Sequence, residues 1–113
     1  MIGTYAPNYR VRMVTVITRV VLREGDDAQE WDDAMRERLG AARDRQGWLG
    51  GQLLKPEAAP NERVIVGTWD SREDWAAWHD DEAFRDTRER LDATHAERSE
   101  IMWHEVLADV RAP

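Results

Sequence analysis

Residues 64–84 read VIVGTWDSREDWAAWHDDEAF, and the reading of this stretch decides the fold. Val64-Ile65-Val66 is a short apolar, β-branched run of the kind that forms a buried strand. Alternation puts Ile65, Gly67 and Trp69 on one face and Val64, Val66 and Thr68 on the other. Asp70-Ser71 then offers a helix N-cap, with Asp74 three residues beyond Ser71 as in a capping box. Trp75 and Trp78 fall on one face of the helix so started. Phe84 opens a second amphipathic segment, with Arg88 and Leu91 at i+4 and i+7. A strand therefore ends on one indole and turns at once into a helix carrying two more. Large rigid rings at a strand-to-helix corner form either plain core or the wall of a ligand site.

Outward from this corner the pattern is regular. Residues 13–22, MVTVITRVVL, are rich in β-branched side chains and predict a first strand that is apolar on both faces. Asp27, with Glu30 three residues on, offers a cap for a helix in which Ala28, Trp31, Met35, Leu39 and Ala42 recur at helical spacing to about Gln46. Its charged residues read as a solvated face, and Gly47 as its C-cap. Residues 48–55, WLGGQLLK, predict a second strand, and Gly50-Gly51 inside it marks a bulge or a close approach by another group. Residues 56–61, PEAAPN, form a loop before the third strand, 62–69. Beyond it the spacing predicts helix from about Ser71 to Glu100, broken near His79-Asp80 and near Ala93-Thr94. A last strand is expected over 101–110, IMWHEVLADV. Residues 1–12 show no period and read as a tail before a single domain over 13–113.

Strand, helix, strand, strand, helix, strand is the ferredoxin-like order: an α+β fold with an antiparallel sheet and its helices on one face. Strands apolar on both faces then leave one sheet face uncovered, which a soluble monomer does not normally tolerate. A second copy packing sheet to sheet is the simplest cover, so a homodimer is expected.

Composition bounds the function. A chain of 113 residues makes one domain. A formal net charge of −7 argues against nucleic acid and against anionic membrane surfaces, both of which attract basic patches. No cysteine is present, which removes disulfides and thiol chemistry and fits a cytoplasmic protein. No apolar run approaches the ~20 residues that span a bilayer. Six tryptophans in so short a chain are the compositional outlier. No Cys/His cluster, HxxxH spacing or regular carboxylate set suggests a metal site, and no glycine-rich phosphate loop precedes a helix.

With these elements in place the chain resembles the antibiotic biosynthesis monooxygenase domain, a family of dimeric α+β barrels. The likeness is carried by VTVIT at 14–18, by Gly47-Trp48-Leu49-Gly50, and above all by Thr68-Trp69 followed by Ser71, Glu73-Asp74-Trp75, Trp78 and Ala83-Phe84. It extends over about residues 13 to 110. The family includes heme-degrading monooxygenases, cofactor-free oxygenases of aromatic polyketides, and members without known activity. The heme branch resembles this chain at Trp69, and also uses an Asn on the first strand and an axial His. The matching positions here are Thr18 and Arg88, and an arginine cannot ligate iron. The resemblance therefore disfavours heme and implies no cofactor. The polyketide oxygenases have a Trp at the place of Trp69, an aromatic residue at Trp75 and an Arg on the next helix, which Arg88 matches. They also carry an Asn four residues before the Trp, where this chain has Ile65.

The resemblance implies a cofactor-independent monooxygenase acting with dioxygen on a polycyclic aromatic, anthrone- or phenol-like, of secondary metabolism. Trp69 and Arg88 are the catalytic candidates, and Thr18, Trp75, Trp78 and Phe84 the substrate-binding ones. Indoles stack on a flat ligand at modest entropic cost, and an Arg in the wall stabilises an enolate or phenolate. The alternative class is a non-catalytic binding or accessory protein using the same pocket. Arg88 has a plain reading as well, its stem over apolar surface and its head in water or paired with Asp92. Each of the three histidines could act as a general base near neutral pH; the plain reading is a surface residue near a helix break for His79 and an exposed one for His95. His104 reads as buried on one side of the sheet, in core or dimer interface.

Overall fold

A computed structural model describes residues 12–25, 28–93 and 96–113. The elements are β1 (Val14–Leu22), α1 (Ala28–Ala42), β2 (Trp48–Leu54), β3 (Glu62–Trp69), α2 (Arg72–His79), α3 (Glu82–Ala93) and β4 (Ala96–Glu105). The four strands form one sheet in the order β2-β3-β1-β4, with every neighbouring pair antiparallel. This is the expected α+β, ferredoxin-like arrangement, its second helical layer split into α2 and α3. The expected tail over 1–12 falls outside the described residues except for Arg12, as do Asp27 and His95.

Strand alternation sets the two faces of the sheet. Val16 and Val20 on β1 and Gly67 and Trp69 on β3 are buried under the helices. Thr15, Ile17, Arg19 and Val21, with Val64, Val66 and Thr68, are only half-buried and point the other way. Among the described elements no helix covers that second face. It is tied laterally by an Arg19 Nε–Glu62 ion pair of 2.6 Å and a Thr15–Thr68 hydroxyl contact of 2.9 Å.

The layer between sheet and helices holds two clusters. Val20, Leu22, Trp31, Ala34, Met35 and Leu91 form the first. Ala42, Trp69, Trp78 and Phe84 form the second, with Trp48 and Trp75 packed against it. Near the first cluster Arg63, whose side chain is 6% exposed, binds Asp32 through two nitrogens at 2.7 and 3.1 Å. The same guanidinium donates to the carbonyls of Pro60 and Glu62, so β3 and α1 are joined by a fully engaged buried charge.

The corner at residues 69–72 forms as its sequence suggests. Ser71 caps α2, its hydroxyl accepting from the Asp74 N–H at 3.1 Å. The break after His79 is closed by Asp81, whose carboxylate accepts from the Ala83 N–H at 2.8 Å and starts α3.

Two boundaries differ from expectation. The first helix ends at Ala42, not near Gln46, and three short turns carry the chain to Trp48. They bring Gly47 beside β3, where its carbonyl accepts from the Asp70 N–H at 2.8 Å. Gly47 has φ of 84°, and the Asp74 side chain occupies the space a Cβ would need, so only glycine fits there. Helix was expected to continue to Glu100 and the last strand to run over 101–110; β4 instead starts at Ala96 and ends at Glu105. Glu97-Arg98-Ser99-Glu100 is polar enough to read as helix. It belongs to an edge strand, where charge is the rule and pairing along the whole of β1 supplies the order.

Candidate functional site

A cavity of about 400 Å³ opens between the sheet and the helices, at the aromatic end of the layer. Every residue named from the sequence lines it: Thr18 from β1, Trp69 from β3, Trp75 and Trp78 from α2, Phe84 and Arg88 from α3. Alternation and helical spacing explain the convergence. Ile65, Gly67 and Trp69 share the face of β3 that Val16 and Thr18 share on β1, with Thr18 opposite Ile65 and Val16 opposite Gly67. Trp69 and Trp78 are buried, Trp75 is half-buried, and Arg88 is an exposed residue that reaches the cavity from its rim.

The rings brace one another. Trp48 meets Trp69 edge to face with centroids 5.1 Å apart. Trp78 meets Phe84 in the same way at 5.5 Å, and Trp75 packs against Trp103 at 4.6 Å. The space beside Gly67 is partly taken by Trp48, whose ring lies 3.6 Å from where a Cβ would stand. Gly50 sits at a break in register between β2 and β3, the bulge expected there.

Three aromatic or charged wall residues were not assigned to the site from the sequence. Trp48 was placed at the start of a strand without a role. Arg38 was counted with a solvated face, but it lies seven residues after Trp31 and three after Met35, on the buried stripe. Its Nε donates to the Thr87 hydroxyl at 3.0 Å and its guanidinium carbon lies 4.0 Å over the Phe84 ring. His79 corrects the expectation of a surface histidine. It is half-buried, lines the cavity, and sits four residues after Trp75 on the same helical face. Its ring is clamped between Trp75, at 3.7 Å, and Phe84, at 4.2 Å. Nδ1 donates to the Trp75 carbonyl at 2.8 Å, since that oxygen can only accept. Burial chiefly holds the imidazole pKa below its ordinary value, and the Arg38 and Arg88 charges add to this against the Trp75 hydrogen bond and Asp80. Heme was set aside because Arg88 stood at the ligand position; His79 puts an imidazole on the same cavity.

His104 is not part of the core of the single chain, and its reading as a dimer-interface residue belongs with the homodimer proposed below. It is exposed on the uncovered sheet face, opposite Thr15 in register, with Nδ1 3.3 Å from the Thr15 carbonyl. No group of three or more His, Cys, Asp or Glu able to hold a metal occurs among the described residues. No helix among them is long and apolar enough to cross a membrane.

The family model for antibiotic biosynthesis monooxygenase matches residues 13–90, and the chain belongs to that family. Solved structures agree in fold. A Nitrosomonas europaea protein described as a candidate antibiotic biosynthesis monooxygenase superposes with a TM-score of 0.79 at 16% identity, covering 86% of this chain and 92% of its own. SnoaB, a cofactor-independent oxygenase from Streptomyces nogalater, gives 0.76 at 15% identity over 89% and 99%. PA3566 from Pseudomonas aeruginosa gives 0.75 at 16% identity over 86% and 96%. No curated protein is significantly similar in sequence.

Proposed function

We propose that this protein is a monooxygenase working without metal or flavin on a flat polycyclic aromatic, anthrone- or phenol-like, in secondary metabolism. The observation that carries this reading is the cavity itself: rings on several sides, guanidinium groups of Arg38 and Arg88 in the wall, and a volume of about 400 Å³. Family membership and the fold shared with SnoaB support it. Trp69, Trp75, Trp78 and Phe84 hold the ligand plane, and the Thr18 hydroxyl meets a polar substituent. Loss of a proton from the substrate leaves its electron pair on the ring system as an enolate or phenolate, which Arg88 stabilises and the Trp69 indole orients. That anion passes an electron to dioxygen. After recombination one oxygen atom ends in the new carbonyl, and the other leaves as water with the two hydrogens lost from carbon. Oxygen uptake with 1,8-dihydroxyanthrone tests the reading, with one dioxygen consumed per quinone formed. Quenching of tryptophan fluorescence without oxygen uptake would instead identify a binding or accessory protein.

The sheet face of Ile17, Val21, Val64 and Val66 carries a second part of the proposal, a homodimer joined sheet to sheet. Its expected area is in the obligate range, roughly 2,000 Å² or more. Light scattering at micromolar concentration should give twice the chain mass, and a monomeric mass would refute it. The absence of cysteine fits a cytoplasmic location.

Heme is the second reading, and His79 is the observation that favours it. With Nδ1 held by the Trp75 carbonyl, His79 would hold the iron through Nε2, and Arg38 and Arg88 would meet the carboxylates of the porphyrin. Iron bound there would supply oxygen activation. Titration decides: a saturable one-to-one Soret band that disappears in His79→Asn establishes heme, and its absence removes this reading.

A further inference from the structure

Deprotonation needs an acceptor, and neither Trp69 nor Arg88 can be one. An indole has no basic nitrogen, and a guanidinium stays charged at any working pH. Thr18 and Ser99 bring only hydroxyls to the cavity. His79 is the one residue among the described wall that carries a basic lone pair near neutral pH.

Its surroundings fix how that lone pair is used. The hydrogen bond from Nδ1 to the Trp75 carbonyl, 2.8 Å long, assigns the neutral proton to Nδ1 and leaves Nε2 as acceptor. The Trp75 and Phe84 rings, at 3.7 and 4.2 Å, prevent the imidazole from turning away. A ring so clamped is pre-organised for one proton transfer.

We propose that His79 is the general base of this cavity: Nε2 takes the acidic proton of the aromatic substrate, and the freed electron pair stays on the substrate as an enolate. The assignment rests on the oxygenase reading above. The proton moves from substrate carbon or phenolic oxygen to Nε2, the bond's electron pair delocalises toward the ring oxygen, and Arg38 and Arg88 offset the new negative charge. No oxidant enters this step.

The charged groups around His79 agree. Arg38 approaches from α1, Arg88 from α3, and Asp80 from the end of its own helix, while Trp75 contributes a carbonyl. Burial and the two cations together outweigh Asp80 and the carbonyl, so the imidazole is neutral at pH 7 and ready to accept. The acidic limb of the rate profile then lies below the ordinary histidine value of about 6.5.

The test follows the proton without oxygen. Under anaerobic conditions in D2O, NMR reads exchange of the C10 hydrogens of 1,8-dihydroxyanthrone above the buffer rate. His79→Asn keeps an amide N–H able to donate to the Trp75 carbonyl but has no basic nitrogen, and His79→Gln serves as the second variant. Tryptophan quenching by the same anthrone and circular dichroism report binding and folding. The expected result is a loss of exchange and of oxygen uptake on the order of 10²–10⁴-fold, with binding held within about threefold and partial rescue by free imidazole. Variants that fold and still exchange at the wild-type rate overturn His79 as base and leave the oxygenase reading intact. A wild-type protein that exchanges through His79 but takes up no oxygen upholds the base and sinks the oxygenase. A wild-type protein that does neither, or a Soret band requiring His79, overturns the proposal.

Discussion

The two ends of the layer between sheet and helices are filled in opposite ways. At one end Val20, Leu22, Trp31, Ala34, Met35 and Leu91 close on each other. Side chains of mixed size and shape pack together there, with Met35 at the border of the cavity. At the other, Trp48, Trp69, Trp75, Trp78 and Phe84 brace edge to face around a cavity of about 400 Å³. Planar rings with two rotatable bonds cannot fold inward to fill a gap, and their mutual contacts hold them upright. The comparison teaches where strength and opening are separated: one end anchors the helices, so the other need not collapse.

The sharpest way to break this comparison is Trp31→Ala in the filled end. Trp31 is 3% exposed, and its loss should cost about 3–5 kcal/mol by urea denaturation. Ligand affinity per folded molecule should stay unchanged; a drop there would mean that the two ends are not separate. Next, Asp32→Ala leaves the Arg63 guanidinium buried with only carbonyl partners, and about 3 kcal/mol should be lost. The exposed Arg36–Asp33 pair on the same helix is the control, because removing it should change stability by less than about 1 kcal/mol.

At the open end the effect should move from stability to rate. Arg88→Ala, at an exposed residue, should shift stability by no more than about 0.5 kcal/mol. Oxygen uptake should fall on the order of 10²-fold with little change in binding, since the anion exists only along the reaction path. An equal loss of binding would make Arg88 a contact for the substrate itself. The smallest expected effect is one of pH. The folded-state pKa of His79 is lowered, so between that value and about 6.5 the unfolded chain binds more protons than the folded one. Its contribution is full above about pH 6.5 and is lost as pH falls through the lowered value. Thermal melts over this window should show wild type losing stability more steeply than His79→Asn.

Much of the open end was legible because its residues obey two periods. Ile65, Gly67 and Trp69 alternate on a strand, and Trp75 with Trp78, like Phe84 with Arg88, follows helical spacing. Arg38 obeyed the same rule at i+7 from Trp31 but was hidden by its charge, because a guanidinium over a Phe ring looks in sequence like any solvated arginine. His79 was hidden by the helix break beside it, although i+4 from Trp75 marked its face. The start of β4 was not readable from local pattern. Residues 96–100 are polar, and their extended form comes from pairing with β1, a partner more than seventy residues away. The edge of a sheet is decided by its neighbour.

Gly51 bears on ligand size through an atom that is missing. A Cβ there would come within 2.5 Å of the Trp48 indole and 2.8 Å of the Val66 carbonyl oxygen. The indole would have to yield, and the carbonyl, which belongs to the sheet, would have to give as well, straining the β2–β3 pairing. Trp48 lies against Gly51 because no side chain stands in its way, and its ring forms one wall of the cavity. A single methyl group at position 51 would therefore press on that wall and on the sheet behind it at once. In this fold one wall of the cavity stands where it does because the outer strand leaves a side chain out.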